Sequence, residues 1–306
     1  MSALPLQVMT GAVRGGTSIL YCAMGESVSE TAGVVNLGTE GSMLVGALAA
    51  YAITANTHNP WIGALAGASA GAALAFVHAF FVLNRKANQL ATGLVVLFLG
   101  LGLTSLFGAA YVARTVNSFK TWKVPLLSHI PWIGQIFFQH DPLTYLTFLL
   151  VPATWFVLQR TGVGLLVRGA GERSEVLSTY GHNVLLVQYL AVVTGGFLAG
   201  LGGAQLSTAY ANAWFENMTQ GRGFVAVAVV IFAARKPLAA MGGSYLFGAA
   251  LALSPALQAR GWHVNQFALD SLPYLAIIVV LVLLGKKRAA EAPEGLQKVF
   301  EMSIAT

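Results

Sequence analysis

The chain has 306 residues, of which 56% are apolar and only 9% charged, with a formal net charge of +6. A soluble domain carries about a quarter charged residues, so this composition excludes an ordinary soluble protein and marks an integral membrane one. The single cysteine, Cys22, excludes an intrachain disulfide and a cysteine-based zinc site, and the basic residues are scattered through short loops, which is a topology signal rather than a nucleic-acid surface.

No cleavable signal peptide is expected, because the N-terminus has neither a basic start nor a small-residue cleavage site after its apolar stretch. Apolar spans are predicted at 5–24, 42–56, 61–83, 89–112, 143–159, 187–207, 223–234, 238–257 and 269–285. Barrel-type alternation is absent, so helices must satisfy the backbone in lipid, and the expected fold is an all-α polytopic transmembrane protein of about 8–10 spans. Spans 42–56 and 223–234 are short enough to be broken or partial helices. One transmembrane domain covers 1–288, and 289–306 reads as a short polar cytoplasmic tail.

Taken in chain order, the first polar groups are Glu26 and Glu30, which are expected in a cytoplasmic turn, meeting water or a neighbouring Arg. Asn36 and Glu40 follow in a segment punctuated by Gly33, Gly38 and Gly41, four residues apart and on one face if that turn is helical. Carboxylates near hydrocarbon cost several kcal/mol unless paired or facing a wet cavity. Asn36 and Glu40 are therefore candidates either for polar glue holding a broken helix or for direct contact with a solute. Gly63, Gly67 and Gly71, and again Gly196 and Gly200, recur every four residues and predict close helix packing. His78, alone inside a span with no chain of acids, reads as a helix-to-helix hydrogen-bonding residue rather than a proton relay.

Residues 112–141 form the longest expected external connection, with Trp122, Pro125, Pro131 and Trp132 packing on the outer surface. Residues 160–183 are dense in both charge signs between two apolar stretches and must face water. Within them a short helix over 174–180, stopped by Gly181 as a left-handed cap, predicts a compact knob. Gln205, Tyr210, Trp214, Glu216, Arg222 and Phe224 flank a mouth between two spans; an interfacial aromatic belt accounts for Tyr210 and Trp214, leaving Gln205 and Phe224 as candidate pathway residues. Asp270 reads as a headgroup-level residue, and Asn217-Met-Thr219 as a chance glycosylation sequon. Gly285-Lys-Lys lacks the glycine-rich lead and the Ser or Thr of a phosphate-binding loop, so the chain is not expected to hydrolyse ATP. With the 160–183 loop in the cytoplasm, Arg85, Lys86, Arg160, Arg168, Arg173, Arg235, Lys236 and 286–288 fall inside. Arg14, Arg114, Lys120, Lys123, Arg222 and Arg260 then fall outside, with the N-terminus external, in agreement with the positive-inside rule.

Glu175-Val-Leu-Ser-Thr-Tyr-Gly181 keeps the Glu and Gly spacing of the EAAxxxG loop by which permeases of ABC importers engage their ATPases, with Ser174, Val176 and Leu177 where that loop usually carries Pro and Ala. Together with the ordered blocks Gly25 to Gly41, Arg168-Gly-Ala-Gly-Glu172, Thr194 to Ala204 and Gly221-Arg-Gly-Phe224, the chain resembles the permeases of ribose, nucleoside and branched-chain amino acid importers, most of all the shorter permease of nucleoside systems. The resemblance implies an ATPase-coupling surface at Arg168, Glu172, Arg173, Glu175 and Gly181. It also implies an ATPase partner that binds ATP and Mg, a second, longer permease, and a substrate-binding lipoprotein or periplasmic protein. The chain itself is then expected to hold no cofactor or metal and to sit in a bacterial cytoplasmic (inner) membrane. Nucleosides or related purines are the implied cargo, with ribose, another sugar or branched-chain amino acids as alternatives. An ion-driven secondary transporter would instead need paired intramembrane carboxylates and inverted repeats, and a membrane enzyme a cluster of His and acids; neither is found.

Overall fold

The computed structural model describes residues 4–262 and, beyond them, Leu269, Ser271, Tyr274, Leu275, Ile278, Val279 and Val282. The predicted span at 269–285 as a whole, Asp270, the 286–288 cluster and the 289–306 tail lie outside the described residues. The described chain forms eleven α-helices: α1 Leu4–Thr31, α2 Thr39–Thr57, α3 Pro60–Ala79, α4 Gln89–Gly108, α5 Ile133–Phe137, α6 Pro142–Arg160, α7 Gly162–Glu172, α8 Ser174–Thr179, α9 Val184–Gln205, α10 Arg222–Phe232 and α11 Pro237–Gln258. A two-residue antiparallel pair, β1 Trp122–Lys123 with β2 Gln139–His140, closes the long connection.

The helix starts follow from local chemistry. Asn59, Asn88, Asp141 and Asn183 each cap the helix that follows, accepting from Trp61 N at 3.0 Å, Leu90 N at 3.0 Å, Thr144 N at 3.0 Å and Leu186 N at 3.0 Å. Pro60, Pro142 and Pro237 occupy first-turn positions, where the missing N–H costs nothing. Five helical runs are long and apolar enough to cross a membrane: Pro60–Asn84, Gln89–Tyr111, Pro142–Arg160, Val184–Tyr210 and Pro237–Gln258, two of them including a π turn. At 1.5 Å per residue α1 is about 42 Å long and α10 about 16 Å, so α1 is long enough to span and α10 is a half-helix.

The core forms around α1, whose residues from Gly15 to Thr31 are buried except Val28, packed between α9, α10 and α11. The two ends of the molecule differ. The C-terminal end of α1 meets α7 and the start of α9, from which Gln188 donates to the Ala32 carbonyl at 3.1 Å and Tyr189 donates to Asn84 just before Arg85 and Lys86. Arg85, Lys86, Arg160, Arg168 and Arg173 therefore gather at the end that carries α8. Arg235, following α10, lies within electrostatic reach of Glu30 at the same end. At the opposite end the long connection settles on the helices: Phe119 N donates to the Thr208 carbonyl at 2.9 Å, Asn117 reaches the His58 carbonyl, and Ile136 packs on Leu6 and Val13 near the start of α1. Part of that connection is buried, while Trp122, Leu126 and Trp132 stay exposed.

The four-residue glycine spacings of α3 and α9 face each other. A Cβ on Gly71 would strike the Gly196 carbonyl and lie 2.8 Å from the Gly200 Cα, and one on Gly200 would lie 2.9 Å from the Ala68 Cα and collide with the Gly67 carbonyl. The two backbones thus touch with no side chain between them. Gly200→Leu is expected to force the helices apart, costing at least the 1–3 kcal/mol typical of overpacking, and to collapse the yield of monodisperse protein on size-exclusion chromatography. Gly102 in α4 is the control, since a Cβ there meets nothing within 4 Å. Gly102→Ala should match the parent, and equal yields from both variants would show that α3 and α9 are not in backbone contact.

Candidate functional site

Three structures bear on function: the break after α1, the start of α10, and the projecting α7–α8 unit. Residues 32–38 between α1 and α2 are not helical, so Asn36 and Glu40 do not share a helical face as the spacing suggested. Gly33 turns the chain at φ +85°, and the polar groups freed by the break are met locally. Glu26 Oε1 accepts from Asn36 N at 2.8 Å, Glu26 Oε2 from Thr39 Oγ1 at 3.2 Å, and Asn36 Oδ1 from Gly38 N at 2.9 Å. His78 reaches the Val35 carbonyl at 3.2 Å, tying α3 to the same segment.

The expectation that Glu26 and Glu30 sit in a wet turn is corrected here: both lie in the last turns of α1 and are 1% exposed. The helix runs on past Met24 to Thr31, with the hydroxyls of Ser27 and Thr31 met inside it by the carbonyls of Ala23 at 2.7 Å and Ser27 at 2.6 Å. Glu26 is spent on the break, whereas the oxygens of Glu30 have no hydrogen-bond partner.

Glu40, 3% exposed at the first turn of α2, crosses to the start of α10. Its Oε1 accepts from Thr219 Oγ1 at 2.6 Å and Gly221 N at 2.8 Å, and its Oε2 from Gly223 N at 2.5 Å. A carboxylate thereby occupies the positive N-terminal end of a half-helix. The sequence Gly221-Arg-Gly223 is what lets it approach: Gly221 holds φ +80°, and a Cβ on Gly223 would lie 2.6 Å from the Glu40 Cα. Arg222 is consequently not an external residue, as its place in the charge count implied. It turns inward, donating to Ser18 Oγ at 3.1 Å and the Gly15 carbonyl at 3.4 Å, with its guanidinium 5.1 Å from the centre of the Tyr210 ring.

Of the four candidate pathway residues, Asn36 and Glu40 lie near one another around the break; Asn36 Oδ1 is engaged by Gly38 N, and both carboxylate oxygens of Glu40 by the loop at 219–223. Gln205 is 0% exposed at the end of α9, with Nε2 donating to the Arg14 carbonyl at 3.4 Å and Oε1 unpartnered. Phe224 is half-buried on the first turn of α10. Trp214, expected in an interfacial belt, is buried against the end of α4, 2.7 Å from where a Gly108 Cβ would stand. Thr219 of the sequon is also enclosed. The inward Arg222 and the Glu40 anchor were missed at the sequence level, although the bracketing glycines at 221 and 223 were a visible sign that backbone there is closely approached.

The knob has the predicted form. After Thr161 caps α7, accepting from Gly164 N at 3.1 Å, Arg173 breaks the helix and α8 begins. It ends in a Schellman closure: His182 N donates to the Leu177 carbonyl at 3.2 Å and Gly181 N to the Ser178 carbonyl at 2.9 Å, with Gly181 at φ +83°. Leu177 turns back onto Gly169 of α7, while Glu172, Arg173, Glu175, Val176 and Tyr180 are exposed. Arg168 is half-buried and reaches Gln159 Oε1 at 3.3 Å, so it braces α7 against the end of α6. On its inner side α7 abuts the break, a Cβ on Gly171 being 2.9 Å from Gly33 N.

Residues 8–284 match the family model described as branched-chain amino acid transport system / permease component. The chain belongs to this permease family. It is 40% identical to a putative glucose ABC transporter permease protein of Haloferax volcanii over 90% of this chain and 84% of that one. It is 31% identical to a nucleoside ABC transporter permease protein of Lactococcus lactis, covering 92% of this chain and 93% of the relative, and 31% identical to a guanosine ABC transporter permease protein of Bacillus subtilis, covering 90% and 91%. No solved structure matches the chain. Membership makes this permease a multi-pass membrane component of an ABC transporter, a role in which it is not itself the enzyme.

Proposed function

We propose that this permease is one of two unlike membrane subunits of an ATP-driven importer that carries nucleosides or related purine compounds across a prokaryotic cytoplasmic membrane. The observation that carries the mechanical part is the α7–α8 unit, which projects exposed charged and apolar groups at one end and rests on the α1–α2 break at its back. A partner ATPase, binding ATP and Mg, would dock on Glu172, Arg173, Glu175 and the Gly181 cap, with Arg168 keeping α7 rigid. Movement of α7 would press on Gly33, and the segment from Gly33 to Glu40 leads directly to the start of α10. These contacts form one contiguous path from the docking surface to the half-helix; coupling along it is what mutagenesis must establish.

The cargo reading is supported by two relatives named for nucleoside and guanosine transport that are matched over nine-tenths of the chain. A second reading, a sugar, is favoured by the putative glucose permease at 40% identity. Vesicles holding the complete importer decide between them: ATP-dependent accumulation of labelled guanosine, unaffected by excess glucose, supports the first, and accumulation of glucose alone supports the second. The permease pairing, with delivery by a binding lipoprotein or periplasmic protein, rests on the likeness to two-permease nucleoside systems. Native mass spectrometry of the complex expressed with its neighbouring genes should show one copy of this chain beside one longer permease; two copies of this chain and no other permease would overturn the pairing.

A further inference from the structure

The loop that Glu40 anchors also floors a cavity that none of the sequence-derived pathway residues lines. Its volume is about 350 Å³, and its polar and aromatic walls come from Tyr210, Gln220, Arg222, Phe247, Ser254, Gln258 and Tyr274. Such a volume falls within the roughly 300–1,000 Å³ of small-molecule sites. Phe247 and Gln258 are eleven residues apart on α11, so the cavity runs about 16 Å along that helix. Because α11 starts beside Lys236 at the knob end, Gln258 marks the opposite end, and Arg222 with Phe247 marks the depth of the half-helix.

The geometry points to a solute site inside the permease that takes a neutral nucleoside; this rests on the nucleoside reading above and locates where that cargo pauses. Tyr210 is fixed between two guanidinium groups, those of Arg222 at 5.1 Å and Arg14 at 6.0 Å from its ring centre, and Arg14 also reaches the Ala209 carbonyl. Phe247 offers a flat apolar face for a heteroaromatic base, and Tyr210, held by the two guanidinium groups, forms a rigid wall beside it. Gln220, Gln258 and Ser254 offer donors and acceptors suited to ring nitrogens and ribose hydroxyls, and Arg222 offers donors only. Charge narrows the class further. Arg222 is the one charged side chain in the lining among the described residues, and the nearby Glu40 is already occupied by Thr219, Gly221 and Gly223. A zwitterionic amino acid would therefore find no counter-charge for its ammonium among the described lining residues, whereas a nucleoside brings no ionic group that needs one.

The test uses the complete importer in membrane vesicles, with Cys22→Ala removing the native thiol. Ser254→Cys places a thiol in the cavity wall, Gln258→Cys is a second probe should the first fail to accumulate, and Thr57→Cys is an exposed control at the outer end of α2. A small water-soluble thiol reagent is applied with guanosine, glucose or leucine. At guanosine about ten times its dissociation constant, mass action should slow labelling of the cavity cysteine about tenfold and leave the control unchanged. Leucine should protect neither. Equal labelling with and without guanosine, in vesicles that accumulate guanosine, would overturn the site while leaving the transport reading intact. Protection by glucose or leucine but not by guanosine would overturn the nucleoside assignment of the cavity, and wild-type uptake measured in parallel would show whether the transport reading falls with it.

Discussion

Glu40→Leu is expected to release the start of α10 and to be among the most damaging single substitutions in the chain. Three donors, Thr219 Oγ1, Gly221 N and Gly223 N, converge on this carboxylate from 179 to 183 residues away. Losing a charged acceptor strands each of them in a buried place at about 1–3 kcal/mol apiece. The favourable charge at the helix N-terminus, about 0.3–2 kcal/mol, goes as well. Even discounted for non-additivity, the total is a large fraction of the roughly 5–15 kcal/mol that holds a typical domain together. Glu40→Gln should fall between: it keeps the shape and one acceptor oxygen, but in either orientation turns an NH₂ toward a backbone N–H, Gly221 or Gly223, that can only donate. Thermal unfolding of the purified chain in lipid nanodiscs should rank wild type above Gln and Gln above Leu, with transport following the same order. A Leu variant that melts and transports like wild type would show that the carboxylate is not what holds the half-helix. The geometry makes the structural role of Glu40 sufficient to explain such losses without any contact to cargo.

Glu175→Arg should have the opposite profile, abolishing uptake in a chain that folds and inserts normally. Glu175 is exposed on α8, so its replacement removes little from the fold, while charge reversal at a docking surface loses an attraction and adds a repulsion. Gly181→Trp attacks the same surface through the backbone. At φ +83° a residue bearing Cβ pays about 1–2 kcal/mol, and the Schellman closure that ends α8 weakens. Both variants should lose the ATPase on affinity purification and lose substrate-stimulated hydrolysis. Retention of the ATPase at wild-type hydrolysis rates in either variant would mean that α8 is not the coupling element.

Much of this architecture was legible in the sequence because the signals are local. Apolar runs of spanning length and the stop at Gly181 each act within a few residues, and the runs read at 61–83, 89–112, 143–159, 187–207 and 238–257, like the Gly181 cap, appear in the structure where the sequence places them. Of the two segments short enough to be broken or partial, 223–234 is the half-helix α10, Arg222–Phe232, whereas 42–56 is corrected to the unbroken 19-residue α2, because polar Thr39 and Glu40 at one end and Thr57 at the other extend the helix beyond the apolar run. The glycine spacings of α3 and α9 predicted close packing, though only the fold shows that they are each other's partners.

What the tertiary structure decided were the destinations of the buried polar groups. Glu26 and Glu30 sit beyond an apolar run, so sequence assigns them to water, yet α1 continues and neighbouring helices cover it. Arg222 counts as an external charge until the chain is seen to turn it inward onto Ser18 and Tyr210. Glu40 shows no partner within reach in sequence, because its partners are supplied by a loop that arrives only once α9 has crossed and turned back. The physical reason is common to all three: in a low-dielectric interior a charged group must be met by donors or counter-charge wherever the chain can bring them. Composition determines that the demand exists, and only the three-dimensional path of the chain determines which residues satisfy it.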